Sequence, residues 1–292
     1  MRYERKLGLF FALQIIFVSL LAGLSLSCGD SQIAPDMTGA TQSRTTPSAT
    51  TDRIGSTYTF AVCGDNRIVG IDSGIMGRII DSAKSRGAAF IVDTGDVTTS
   101  GSREELAKYH DYTASTGIGF YTVPGNHDVG RGGTSEAYEE IIGPPYYSFD
   151  YAGDHFVIVD NADDNTGIPD TQMQWFTQDL ADNAGRPKQF IFAHIPVGST
   201  SLPSGHVTGE GGDAGLRSGQ MMVSEAVKYA NVKDIFFGHI HTYLAYRLDG
   251  IDAYVTGGAG APLLIPEGMG GYYHYLLVTV REEEVEVEVI QV

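Results

Sequence analysis

Five short apolar runs lie in the middle of the chain: "TYTFAVC" (57–63), "AAFIVDT" (88–94), "GIGFYTVP" (117–124), "KQFIFAH" (188–194) and "VKDIFFGH" (232–239). They are rich in β-branched and aromatic residues and too short for core helices, so each reads as a buried strand. Each also ends in side chains that can ligate an ion or carry a proton. Asp65 follows the first and Asp96 the second; Asn126, His127 and Asp128 follow the third; His194 closes the fourth; His239 and His241 follow the fifth. In α/β sheets ligands bind beyond the carboxyl ends of the strands, so these groups can converge on one rim. A turn accounts for any one Asp or Asn after a strand, and a lone histidine is usually structural. Turns do not account for the whole series.

Helical patterns separate the strands. In "SGIMGRIIDSAKSRG" (73–87), Ile75, Met76, Ile79, Ile80 and Ala83 share one face and Gly87 is a stop. In "DTQMQWFTQDLADNAG" (170–185), Met173, Phe176 and Leu180 recur behind a cap at Asp170 or Thr171. The C-terminal third reads as further strands: "YLAYRLDG", "DAYVTGG", "YYHYLLVTV" and "EVEVEVIQV". In the last, Val285, Val287 and Val289 alternate with glutamates, marking one wet face. The expected fold class is α/β, a two-sheet sandwich with mixed sheets flanked by helices.

The N-terminus reads as an export signal. Arg2, Arg5 and Lys6 precede an uncharged stretch from Leu7 to Leu26. It ends in "LSLSCGDSQ", which resembles a bacterial lipoprotein signal whose cysteine, here Cys28, becomes the lipid-modified first residue. Such signals usually carry leucine three places before the cysteine; this one has Ser25, with leucines at 24 and 26. A cleaved secretory peptide and an uncleaved anchor of about 20 residues are the alternatives. All three place the domain outside the cytoplasm, periplasmic or envelope-associated; the lipidated and uncleaved readings also hold it to the membrane, by a lipid anchor at Cys28 or by the N-terminal segment. Residues 29–56 are rich in Thr, Ser, Ala and Pro and read as a disordered linker. The folded domain is expected over 57–292. Cys28 and Cys63 fall in leader and strand, so they are no disulfide framework. With 36 acidic and 19 basic residues the net charge is -17, which repels polyanions and argues against a nucleic-acid partner.

"GD" at 64–65, "GD" at 95–96, "GNHD" at 125–128, His194 and "GHIH" at 238–241 resemble the ordered motifs of the calcineurin-like metallophosphoesterases. "YYSFDYAGDHFVIVDNAD" and "VTGGAGAPL" resemble the purple acid phosphatase-like branch. The resemblance implies hydrolysis of a small-molecule phosphate mono- or diester at two divalent or trivalent metal ions, with Fe, Mn or Zn suited to an N/O donor set. Two cations about 3.5–4 Å apart can clamp the attacking and leaving oxygens, a carboxylate can bridge them, and a water acidified by both is the nucleophile. By this resemblance Asp96 is the bridge. Asn126, His194 and His239 hold one ion, and Asp65 and His241 the other. His127 protonates the leaving oxygen and Asp128 orients it. The i, i+2 spacing of His239 and His241 would place both on one side of a straight strand.

One position departs from the pattern. Many members carry histidine two places after the first aspartate, and here that residue is Arg67, which has no lone pair to give. The Asp65 site loses a donor. Purple acid phosphatases recruit a tyrosine after the second motif, but the next tyrosine here is Tyr109. Arg67 reads either as a substrate-binding group for a phosphate oxygen or as a surface arginine paired with a carboxylate. Asn66 either orients a phosphate or shapes the turn. The loop 196–215 can cover the site and contains His206; "TGGAGAPL" reads as a tight turn and His274 as structural. A non-catalytic envelope binding protein with a degraded first metal site is the alternative to an enzyme.

Overall fold

The computed structural model describes residues 57–129, 133–163, 166–198, 213–263 and 265–292. The leader, Cys28 and the linker lie outside the described residues, as do loop residues 199–212 with His206. Among the described residues, eleven strands form two sheets. The first combines β1 (Tyr58–Cys63), β2 (Ala88–Asp93) and β3 (Gly119–Thr122) with the C-terminal β10 (His274–Val280) and β11 (Val285–Gln291). The second combines β4 (Tyr147–Tyr151), β5 (Asp154–Ile158), β6 (Gln189–Phe192), β7 (Val232–Phe237), β8 (Tyr243–Leu248) and β9 (Ile251–Thr256). Their orders are β11-β10-β1-β2-β3 and β4-β5-β6-β7-β9-β8. Five pairs are parallel: β1 with β2, β2 with β3, β5 with β6, β6 with β7 and β7 with β9. The pairs β1 with β10, β10 with β11, β4 with β5 and β8 with β9 are antiparallel. Parallel strands deliver their carboxyl ends to a common edge, which is the geometric basis of the site.

Strand alternation builds three apolar layers. Phe60 and Val62 meet Phe90, Val92, Phe156, Phe190, Phe192 and Phe236 between the sheets. Phe60 stacks on Phe90 at 5.3 Å and meets Phe156 edge-on at 5.4 Å. Each such ring contributes about 1.5–3 kcal/mol by burial. The alternate residues Ala61 and Cys63 face outward under Ile75, Met76, Ile79, Ile80 and Ala83. On the second sheet, Val157, Ile191 and Ile235 are covered by Met173, Phe176, Leu180, Met222 and Val223.

The helices are α1 (Val69–Asp72), α2 (Ile75–Ser85), α3 (Arg103–Ser115), α4 (Asn126–Val129), α5 (Ser135–Ile141), α6 (Asp170–Asp182) and α7 (Asp213–Ala226). The apolar face expected of α2 is the one it buries. The cap expected for α6 is corrected: the N-cap is Pro169, without a side-chain bond, and Asp170 is already helical. The sequence pattern did not reveal α3, because it buries only Leu106, Tyr109 and Thr113; it is started by Ser102, whose hydroxyl accepts from the Glu105 amide.

Away from the rim, on the β4–β5 hairpin, His155 is gripped on both sides. Nδ1 donates to Asp150 Oδ1 at 2.7 Å and Nε2 to Asp179 Oδ2 at 2.8 Å. Carboxylates only accept, so both ring nitrogens must carry hydrogen. Burial opposes that charge, but the two carboxylates outweigh it and raise the imidazole above its usual range. The resulting stabilisation is complete below the unfolded histidine value of about 6.5 and is lost as pH rises through the higher folded value. Replacing His155 by glutamine is expected to cost about 2 kcal/mol in urea unfolding under mildly acidic conditions. The deficit should shrink at alkaline pH; a deficit independent of pH would show that the ring is neutral.

Candidate metal centre

The backbone at the rim is held in an uncommon conformation. Asp65 (φ 63), Arg67 (φ 48), Ile68 (φ 58), Asp96 (φ 55) and His239 (φ 69) all lie in the left-handed region. Such conformations cost about 1–3 kcal/mol each and cluster where function demands a side-chain direction. Close backbone approach does the rest. A Cβ on Gly125 would sit 2.1 Å from the Asp96 amide nitrogen, and one on Gly238 would sit 2.8 Å from Asp65 Oδ2. The glycines of "GNHD" and "GHIH" therefore let loops from different strands touch.

Three histidines are oriented by main-chain carbonyls. Nδ1 of His194 donates to Thr94 O at 2.8 Å, that of His127 to Thr99 O at 2.7 Å, and that of His241 to Pro262 O at 2.8 Å. A carbonyl only accepts, so the Nδ1 hydrogen is assigned and Nε2 is the nitrogen left for the cleft, as a lone pair in the neutral ring or as a proton donor in the charged one. For His194 that nitrogen faces Asn126 Oδ1 at 3.1 Å and Asp96 Oδ1 at 3.3 Å. His239 Nδ1 joins the same cluster, 2.9 Å from Asn126 Oδ1 and 3.3 Å from His194 Nε2. For His241, Nε2 faces Asp65 Oδ1 at 3.5 Å.

The donors thus divide into two groups around Asp96. His194, His239 and Asn126 meet on one side, beside Asp96 Oδ1. Ligand atoms of Asp65, Asp96 and His241 all lie within 4.8 Å of one another on the other. Acceptors gathered this closely repel unless a cation lies among them, whether a proton or a metal ion. Asp65 Oδ1 is fully buried, has no hydrogen-bond partner and faces His241 Nε2 at 3.5 Å, a place an ion could fill. Burial works against the Asp96 charge, but the positive charge that His194, Arg67 and His127 can carry outweighs it and holds its carboxyl below the usual range. Imidazole, amide and carboxylate donors suit Zn, Mn or Fe, so the residues present fit a metal centre.

Other expected roles are modified by the packing. His239 and His241 do not lie on a straight strand: β7 ends at Phe237, and the turn at His239 sends one ring to each group. Asp128 does not hold the His127 ring. Its Oδ2 accepts from the amides of Val97 (3.2 Å) and Gly125 (2.8 Å), and its Oδ1 from the Thr98 amide (2.8 Å) and hydroxyl (2.7 Å). Asp128 therefore shapes the segment that presents the Thr99 carbonyl, and that carbonyl orients His127. Burial and the charge of Asp96 push the Asp128 carboxyl up to about 7 despite these donors.

Asn66 is corrected as a substrate-binding group. It is fully buried, Nδ2 donates to Asp93 Oδ2 at 2.9 Å, and Oδ1 accepts from the Ile68 amide. The fold consumes both ends of its amide. Tyr109 is no replacement ligand, since its hydroxyl donates to the same Asp93 oxygen at 3.0 Å beneath the site. Arg67 is neither a surface residue on a surface acid nor turned to the open cleft. Its Nη2 and Nε donate to buried Asp96 Oδ2 at 2.9 and 3.3 Å.

Asn161 was missed. Its Oδ1 accepts from the amides of His194 and Ile195 at 2.9 and 3.0 Å and so fixes the loop carrying His194. The signal was available, because "FVIVDN" is a sixth apolar run ending in a polar pair. The turn at "TGGAGAPL" supplies the Pro262 carbonyl and donates the Ala261 amide to Asp65 O. His274 is fully buried and donates Nδ1 to Tyr272 O; burial pushes its imidazole down to about 4, so it stays neutral.

This arrangement of strand-end donors is that of a calcineurin-like phosphoesterase, the family whose model matches residues 58–243 and to which the chain belongs. Among curated relatives, the serine/threonine-protein phosphatase CPPED1 of Pongo abelii is 27% identical over 164 residues, covering 52% of this chain and 50% of that protein. A probable cyclic nucleotide phosphodiesterase of Fibrobacter succinogenes is 25% identical over 178 residues, covering 57% and 62%. The chain thus spans about half to three-fifths of the length of these relatives. The fold is shared with a purple acid phosphatase, PPD1 from yellow lupin seeds, at TM-score 0.61 and 17% identity over 81% of this chain and 52% of that one.

Proposed function

We propose that this protein hydrolyses a small phosphate mono- or diester outside the cytoplasm, using two metal ions held by the rim residues. The observation that carries the reading is the set of histidine tautomers: carbonyls fix Nδ1–H, and the Nε2 atoms left for the cleft converge with buried carboxylates. Asn126, His194 and His239 would hold one ion, Asp65 and His241 the other, with Asp96 shared. Bound there, the ions polarise the phosphoryl oxygens and acidify a water.

The chain's own residues supply the rest. His127 Nδ1 keeps its hydrogen on Thr99 O, so the transferable proton resides on Nε2, which faces Asp96 Oδ2 at 3.9 Å. The buried carboxylate stabilises the imidazolium, and the ring delivers that proton to the leaving oxygen. The net charge of -17 favours a small substrate over a polyanion.

The test is to assay the purified protein on generic mono- and diesters with Mn, Fe or Zn added. Turnover should depend on added metal and vanish with chelator. Full metal loading without turnover would favour the second reading, a non-catalytic binding protein, whose support is the Arg67–Asp96 ion pair. Export and lipid anchoring are part of the proposal and rest on the leader sequence. No helix among the described residues is long and apolar enough to cross a membrane. Cys28→Ser should move the protein from the membrane to the soluble fraction; unchanged fractionation would remove the lipid anchor.

A further inference from the structure

The ion pair between Arg67 and Asp96 is not explained by a role in binding substrate alone. Both guanidinium bonds fall on a single oxygen, Oδ2, at 2.9 and 3.3 Å. The other oxygen, Oδ1, accepts the His127 amide at 2.9 Å and lies 3.3 Å from His194 Nε2. Oδ2 is therefore the oxygen that remains for the Asp65–His241 group. That group already lacks the histidine donor that Arg67 replaces, and its own Asp65 Oδ1 has no hydrogen-bond donor.

We propose that Arg67 is a tethered cation that competes with the second metal ion for Asp96 Oδ2, and that a phosphate group relieves the competition by drawing the guanidinium away. The inference rests on the dinuclear reading above and adds an order of assembly to it. Two positive charges cannot share one carboxylate oxygen without strong repulsion, so arrival of the ion requires the guanidinium to move. The main chain cannot take Arg67 far. Its amide donates to Asp96 O at 2.9 Å, and its carbonyl accepts from Thr99 Oγ1 at 3.0 Å. The side chain can move, since it is 21% exposed whereas Asp96 is fully buried. Once off Asp96 the guanidinium stays next to the cleft, with donors arranged for two phosphoryl oxygens. Phosphate and the second ion then bind with positive coupling, and by linkage each tightens the other.

The experiment uses the full chain, stripped of metal, and Mn(II) in equilibrium dialysis with and without inorganic phosphate. Arg67→Gln should leave the first Mn(II) unchanged and tighten the second by about tenfold, within the usual range of site coupling. Phosphate should tighten the second Mn(II) more in the parent than in Arg67→Gln, by about the same factor. Arg67→Lys retains a positive charge and keeps the variant set informative if Arg67→Gln folds poorly; its second Mn(II) should bind as weakly as in the parent. Equal second-ion affinity in the parent and Arg67→Gln, or an equal phosphate effect in both, overturns the competition while leaving a two-ion centre intact. Absence of any Mn(II) binding in every form overturns the competition together with the dinuclear reading.

Discussion

Asp96→Asn is expected to lower turnover of a phosphate ester by about 10³-fold, the scale of the several kcal/mol that paired cations contribute to a phosphoryl transition state. Asp96 is fully buried, and its two oxygens have different neighbours. Oδ1 accepts the His127 amide and faces His194, and Oδ2 receives Arg67. An asparagine retains one oxygen and presents an NH2 group in place of the other, so it satisfies one donor group and opposes the other. It also leaves Arg67 without its buried partner, so stability should fall together with activity. The measurement is kcat alongside bound metal per chain. Two ions bound and turnover within about tenfold of the parent would remove Asp96 as the shared ligand.

His127→Gln tests the proton. The proposed role needs hydrogen on both ring nitrogens, Nδ1 toward Thr99 O and Nε2 toward the leaving oxygen. Activity should therefore fall as pH rises through the pKa of the ring, and the variant should lack that limb of the profile. Loss of kcat by about 10²–10⁴-fold is expected, because positioned general acids contribute on that scale. Metal content should stay unchanged, since the Asp96 contact made by the His127 amide survives the substitution. The deficit should be smallest for esters whose leaving group departs readily without a proton. An equal deficit for good and poor leaving groups would show that His127 positions the site and transfers no proton.

Much of the site was legible because its chemistry lies at strand ends. A buried parallel strand is a short apolar run, and the residue after it is the one the fold brings to the rim. Asp65, Asp96, Asn126, His194, His239 and His241 could thus be picked out from local pattern, and so could the apolar face of α2. Helix α3 could not, since its face is narrow and mostly polar. Neither could the burial of Asn66, whose neighbour Asp93 lies 27 residues along the chain. In sequence, Asn66 and Arg67 adjoin a ligand in the same way. In the fold, the left-handed residues Asp65 and Arg67, on either side of Asn66, turn the Asn66 side chain onto buried Asp93 and that of Arg67 onto Asp96.

Residue type and order by themselves determined the family, the α/β layering and the candidate groups for a metal ion, because these depend on which side chains follow which strands. Tertiary structure decided how those groups are used. It set the histidine tautomers, through carbonyls of Thr94, Thr99 and Pro262 that come from distant turns. It reassigned Asp128 to the loop beneath His127. It also gave Arg67 its partner, a buried carboxylate 29 residues away, which local pattern does not identify. Hydrogen bonds and ion pairs are made across space, and only the packing of the two sheets brings these partners within reach.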